Sequence, residues 1–280
     1  MSYVSDARPL FAAAYQGGYA LPAFNVCSLE MAKGCLEAAE SLGAPVLLQT
    51  YPSDVEQASP HVFVQMVRAL ADELSVPVAL HLDHGRDPHQ VAACLRAGYS
   101  SVMFDGQGLE FEPLLAQTRE LAGLAHAAGA SLEVSAESFG VPGADDNRLE
   151  QTDPAQARAL HDAGADLVAC AVGSEHGHAS SLDLALLERI HRRVGGPLVL
   201  HGGSGIPVPD LQAALRLGVV KVNVGSALYR ATRRTWQNSG AMPNHRAVYA
   251  AVREAVRQAA WPFIHTLYPA GNAATQEIHS

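Results

Sequence analysis

The chain is short of cysteine and lysine, and each shortage removes a class of protein. Its four cysteines, Cys27, Cys35, Cys94 and Cys170, are widely spaced and form no CxxC pair. Neither a disulfide framework nor a thiolate metal site is indicated, and buried reduced thiols are expected. Lys33 and Lys221 are the only lysines, charged residues amount to 17%, and the formal charge is −9. Such a balance offers no cationic field to gather nucleic acid or anionic lipid. The one basic cluster, Arg230, Arg233 and Arg234, reads as a solvated helix face. No stretch of about 18 uncharged apolar residues is present to span a bilayer, and MSYVSDARPLFAAAY lacks the cationic start and apolar segment of a signal peptide. The expectation is a cytoplasmic protein with no membrane or nucleic-acid partner.

What the chain does have is hydrophobic residues at 48% of 280, enough for one sizeable core. Eight apolar runs recur: PAFNV (22–26), PVLLQT (45–50), PVALHLDH (77–84), SVMFDG (101–106), SLEVSAES (131–138), DLVACAVG (166–173), PLVLHGG (197–203) and VVKVNVGS (219–226). They are continuous rather than alternating, the pattern of parallel strands buried on both faces. Helical patterns such as SLEMAKGCLEAAESLG, DPHQVAACLRAG, DPAQARALHDAG and VPDLQAALRLG lie between them. Each opens on a capping residue or Pro and closes on Gly43, Gly98, Gly164 or Gly218, a left-handed cap that turns the chain toward the next strand. Eight strand–helix units predict an α/β fold, a (β/α)8 TIM barrel, as a single domain over 1–280. A helical extension over about 236–268 would pack on the barrel or on a neighbouring copy, and the last residues, AGNAATQEIHS, would fray.

Polar residues gather at the carboxyl ends of these runs: Asn25, Gln49, Asp83, His84, Asp105, Glu137, His176, His201 and Asn223. In a barrel those ends form one face, where active sites are built. His84, His176 and His201 each follow a separate run, so three imidazoles would meet at the rim and make an open zinc site. Asp83, beside His84, would stand near the metal without ligating it, a natural proton carrier. The segment HGGSGIP (201–207) offers the backbone amides of Gly202, Gly203 and Gly205 and the hydroxyl of Ser204, with Ser226 at the next strand end, a means of cradling phosphate. Lys221 lies before its strand end, so an imine mechanism is the weaker reading.

In this order AFNV, HLDHG, SVMFDG, GSEHG, LVLHGGSGIP and KVNVGSALY resemble the class II, zinc-dependent fructose-bisphosphate and tagatose-bisphosphate aldolases, over about residues 10–235. The resemblance implies that His84, His176 and His201 hold the catalytic zinc and that Asp83 moves the proton. It implies that Gly177, Gly202, Ser204 and Ser226 hold the phosphate of dihydroxyacetone phosphate, often with a monovalent cation. Asn223 would bind the enediolate, and Asp105 with Glu133 would lie at a second, outer metal position. The implied reaction is cleavage of a phosphorylated ketose to dihydroxyacetone phosphate and an aldehyde by metal-stabilised enediolate formation, in a homodimer or homotetramer. The alternatives are a metal-dependent lyase or epimerase acting on another enolisable ketone, and an inactive aldolase-like partner subunit.

Departures from the family fall on the acceptor side. Its usual Glu-x-Glu-Leu-Gly segment reads here LEVSAESFG, so Glu133 fits the first glutamate while Ser135 stands at the second, and Glu137 substitutes only if the strand shifts by two residues. Asp145 and Asp146 are counterparts for a carboxylate carried on the following loop, Tyr51 replaces a small residue, and Arg246 and Arg253 are candidates to grip a second phosphate.

Overall fold

The computed structural model describes residues 2–135, 151–174 and 178–269. Strands β1 (Leu21–Asn25), β2 (Val46–Thr50), β3 (Val78–Gly85), β4 (Ser101–Asp105), β5 (Ser131–Ser135), β6 (Leu167–Ala169), β7 (Leu198–Leu200) and β8 (Val219–Val224) pair in sequence order. Every neighbour is parallel, and β8 closes on β1 with Ala23 opposite Asn223. The helices are α1 (Arg8–Gly17), α2 (Leu29–Leu42), α3 (Pro52–Ala58), α4 (Pro60–Ala71), α5 (Pro88–Ala97), α6 (Phe111–Ala127), α7 (Pro154–Asp162), α8 (Leu184–Val194), α9 (Val208–Leu215), α10 (Ser226–Gln237) and α11 (His245–Leu267). This is a (β/α)8 TIM barrel. Its apolar runs are continuous because each strand is covered by helices outside and by the other strands within.

Local chemistry makes the corners. Ser28, Asp87, Asp153 and Asp183 each cap a helix by accepting a backbone N–H one turn on. Gly43, Gly98, Gly164 and Gly218 all take positive φ, where a side chain would be strained. Cys35, Cys94 and Cys170 are buried as expected, but Cys27 is exposed, because it follows β1 at the rim where the chain turns into α2. Arg230, Arg233 and Arg234 lie exposed on α10. Among the described residues no helix is long and apolar enough to cross a membrane.

Strands β6, β7 and β8 end earlier than their apolar runs. β7 stops at Leu200 rather than 203, because Gly202 (φ 69°) and a 3₁₀ turn over Gly203–Gly205 take the backbone out of the ladder. Two irregularities then aim the side chains. On β3 an extra residue separates Leu82, paired with Val102, from Gly85, paired with Phe104, and within it His84 adopts φ 54°. This bulge lets neighbours Asp83 and His84 both address the mouth, which strict alternation forbids. On β8, Val220 is the extra residue between pairs Leu198–Val219 and Val199–Lys221.

The C-terminal segment forms a short 3₁₀ turn (Ser239–Ala241) and then α11, which packs along α2. At their crossing, a Cβ on Gly34 would meet the Arg253 carbonyl oxygen at 2.5 Å. Beyond it the Leu267 carbonyl accepts the Ala20 N–H at 3.0 Å, joining the end of α11 to the entry of β1.

Candidate active site

The carboxyl rim of β3, β7 and β8 brings His84, His201, Asp83 and Asn223 together. His201 Nδ1 lies 3.0 Å from His84 Nε2, so the two imidazoles present nitrogens to one point. Their other nitrogens are taken by carboxylates. His84 Nδ1 meets Asp105 Oδ2 at 2.7 Å, and His201 Nε2 meets Glu133 Oε1 at 2.9 Å. A carboxylate behind each ring fixes tautomer and orientation, as in metal-binding histidines. One ligand atom from each of Asp83, His84 and His201 lies within 4.8 Å of the others. This donor set fits a divalent cation. His176 and Gly177, the other members of the predicted constellation, lie outside the described residues, as do Glu137, Asp145 and Asp146.

Electrostatics agree with the geometry. Burial alone would lower the His84 pKa, but the charge of Asp83, then the hydrogen bond and charge of Asp105, outweigh it and hold the imidazole above its usual range. Burial likewise works against the Asp105 carboxylate, yet the His84 bond and charge keep it below the ordinary value. A cation bound between the facing ring nitrogens would compete with protonation of His84.

Asp83 is buried beneath this pair and held by three amides. Asn25 Nδ2 and Gln49 Nε2 donate to its Oδ2 at 2.8 and 3.0 Å, and Asn223 Nδ2 donates to its Oδ1 at 3.0 Å. Gln49 also donates to Asn25 Oδ1 at 3.0 Å, which makes the amides a connected set. Every partner is a donor, so the site is built around a carboxylate that accepts.

Register decides the glutamate question for the described strand. Met103 pairs with Glu133 and Asp105 with Ser135, so Ser135 occupies the strand end and Glu133 stands one pleat deeper. There it is fully buried, with Oε1 on His201 and Oε2 accepting from Lys221 Nζ at 2.8 Å.

Ser204 and Ser226 come together where the turn after β7 meets the start of α10: Ser204 Oγ accepts the Ala227 N–H at 3.1 Å. Gly202 provides the positive φ that opens the turn. Close packing requires Gly203, since a Cβ there would meet the Val222 side chain and, at 2.9 Å, the Asn223 carbonyl. Tyr51, the residue before α3, stacks over His84 with ring centroids 6.2 Å apart and 25° between planes. Arg246 and Arg253 line a groove between α2 and α11 with Leu29, Glu30, Lys33 and Tyr249.

Sequence reasoning missed Lys221, which runs up the barrel interior to Glu133 and, at 2.7 Å, to Asn223 Oδ1. It also missed His81, fully buried on β3, whose Nδ1 is 2.8 Å from Ser101 Oγ. Burial and then the Lys221 charge push His81 well below its ordinary pKa, so the ring is neutral. Period-two spacing was the available signal: His81 precedes Asp83, and Lys221 precedes Asn223, by two residues.

A closed β/α barrel with histidines, carboxylates and amides gathered on its carboxyl rim defines a barrel enzyme. The family model for fructose-bisphosphate aldolase class II matches residues 5–272, and the chain belongs to that family. Among solved structures it is similar to a putative fructose-1,6-biphosphate aldolase from Coccidioides immitis, at 26% identity and TM-score 0.89, covering 97% of this chain and 99% of that one. The YdjI aldolase from Escherichia coli K12 is 29% identical with TM-score 0.84, covering 96% and 98%. Family and neighbours together support aldolase activity, a carbon–carbon lyase reaction.

Proposed function

We propose that the chain is a zinc-dependent aldolase that cleaves a phosphorylated ketose to dihydroxyacetone phosphate and an aldehyde. The observation that carries this reading is the pair of imidazoles, His84 and His201, aimed at one point with a carboxylate behind each and a third, amide-held carboxylate beside them. His176 would complete the ligand set. Zinc at this position would supply Lewis-acid stabilisation of the negative charge that develops on the ketose oxygens as the carbon–carbon bond breaks.

The chain's own residues supply orientation and the proton. Asp83 Oδ2 is committed to Asn25 and Gln49, so the proton moves at Oδ1, the oxygen facing Asn223 and 3.9 Å from His84 Nε2. Asn223 Nδ2 gives a donor for a substrate oxygen beside that carboxylate. In this reading Asp105 and Glu133 serve the histidines rather than an outer ion. The backbone of Gly202 and Gly203, the Ser204 and Ser226 hydroxyls, and Gly177 would hold the phosphate, with a monovalent cation as a further partner. Tyr51 over His84 narrows the side where the aldehyde half leaves, which sets the acceptor apart from that of relatives with a small residue there.

Metal analysis of the purified protein, combined with a panel of ketose mono- and bisphosphates, tests the reading. Stoichiometric zinc and chelator-sensitive release of dihydroxyacetone phosphate from at least one member are expected. Turnover of the panel without dihydroxyacetone phosphate would favour the lyase or epimerase alternative, and little bound zinc with activity only in a complex the inactive partner subunit.

A further inference from the structure

We infer that Lys221 is a positioning residue, which sets the working orientation of Asn223 and the seat of Glu133 without touching substrate; this rests on the aldolase reading above. The ammonium lies wholly inside the barrel, one pleat below Asn223 on the same face of β8. It donates to Asn223 Oδ1 at 2.7 Å and to Glu133 Oε2 at 2.8 Å.

The consequence follows from donor and acceptor inventories. An ammonium only donates and an ionised carboxylate only accepts. Lys221 therefore claims the oxygen end of the Asn223 amide, and the nitrogen end is left facing Asp83 Oδ1 at 3.0 Å. Without the ammonium, selection between the two flips of that amide falls to Asp83 Oδ1 and His201 Nε2 at its nitrogen end alone, and the oxygen end loses the described donor that holds it. On its other side Lys221 holds Oε2 of Glu133, whose Oε1 seats the His201 ring. One buried cation thus links the arm that carries the metal-facing histidine to the arm that carries the proton.

A purely stabilising role explains the pair poorly. Exchanging a buried ion pair for apolar residues of similar volume is often neutral or stabilising, because desolvation offsets the Coulombic gain. His81 Nε2 stands 3.7 Å from Glu133 Oε2 with no hydrogen-bond partner among the described residues, and its ring, anchored through Ser101 to Ser131, packs the floor beneath the pair.

A double-mutant cycle of Lys221→Met and Asn223→Ala tests the inference. Lys221→Met should keep its zinc and lower kcat about 10–100-fold, the scale of lost outer-shell support, with little change in KM. The double variant should fall only marginally below Asn223→Ala. A second readout needs no turnover. In the metal-free protein the side-chain amide protons of Asn223, followed by NMR, should exchange with solvent at least about tenfold faster in Lys221→Met, as a lost hydrogen bond predicts. If Lys221→Met fails to fold, Lys221→Gln carries the same measurements. Wild-type kcat in the variant, losses that multiply across the cycle, or an unaltered Asn223 amide would overturn the inference. Absence of cleavage by the wild type would overturn the aldolase reading and leave the amide measurement to decide this one.

Discussion

At the floor of the barrel mouth Glu133, Lys221 and His201 are fully buried and each polar group named there meets a partner at 2.7–3.0 Å. In the groove between α2 and α11, Lys33 is half-buried, Arg246 is exposed, and Arg253 reaches Glu37 only at 3.5 Å with both side chains well exposed. The residue types are alike, but their surroundings are not. Inside, low polarisability makes each charge expensive to leave alone, so its position is dictated. Outside, water and salt screen the same charge and leave its side chain free to choose among conformations. A charged residue informs about function when its place is fixed by neighbours rather than by its mere presence.

Substitutions on the two sides sharpen that contrast. The largest effects belong to the floor: His201→Ala should abolish both zinc binding and cleavage, whereas Asp83→Ala should retain zinc and lose turnover by about 10²–10⁴-fold, the range for a positioned acid or base. Metal stoichiometry measured beside kcat separates the two, and zinc lost equally from both would place Asp83 among the ligands instead. Next in size, Asp105→Asn exchanges the carboxylate behind His84 for an amide and should weaken zinc affinity about 10–100-fold, read by competition with a chromogenic chelator. Smallest is the groove: Glu37→Ala should shift unfolding free energy by less than about 1 kcal/mol and leave kcat unmoved, as denaturant titration and assay would show. A larger loss there would mean that the groove is organised like the floor.

The barrel was legible because eight buried strands and their capped, glycine-ended helices leave a repeating trace in the sequence. So was the gathering of His84, His201, Asp83 and Asn223, since each closes an apolar run. The interior support was harder to see. Strands buried on both faces show no alternation of polarity, so the period-two spacing of His81 to Asp83 and of Lys221 to Asn223 did not by itself mark them as pointing inward, and the resemblance gave Glu133 an outer-metal role rather than its place behind His201. The bulges at His84 and Val220 compounded this, because an extra residue on one strand is invisible without its neighbour's register. Tyr51 was legible as an odd residue beside the site, but its stacking on His84 depends on the turn into α3. Glycines of the HGGSG turn read as open amides for an anion, yet at Gly203 the structure adds a packing reason that composition alone does not separate.

The seating of α11 upon Gly34 has a bearing on how the molecule assembles. The helix that shelters the first strand is the last of the described helices, so its contacts join distant stretches of sequence and form only after a long loop has closed. A nascent chain emerging from the ribosome must hold β1 and α2 with one flank bare until α11 has been made.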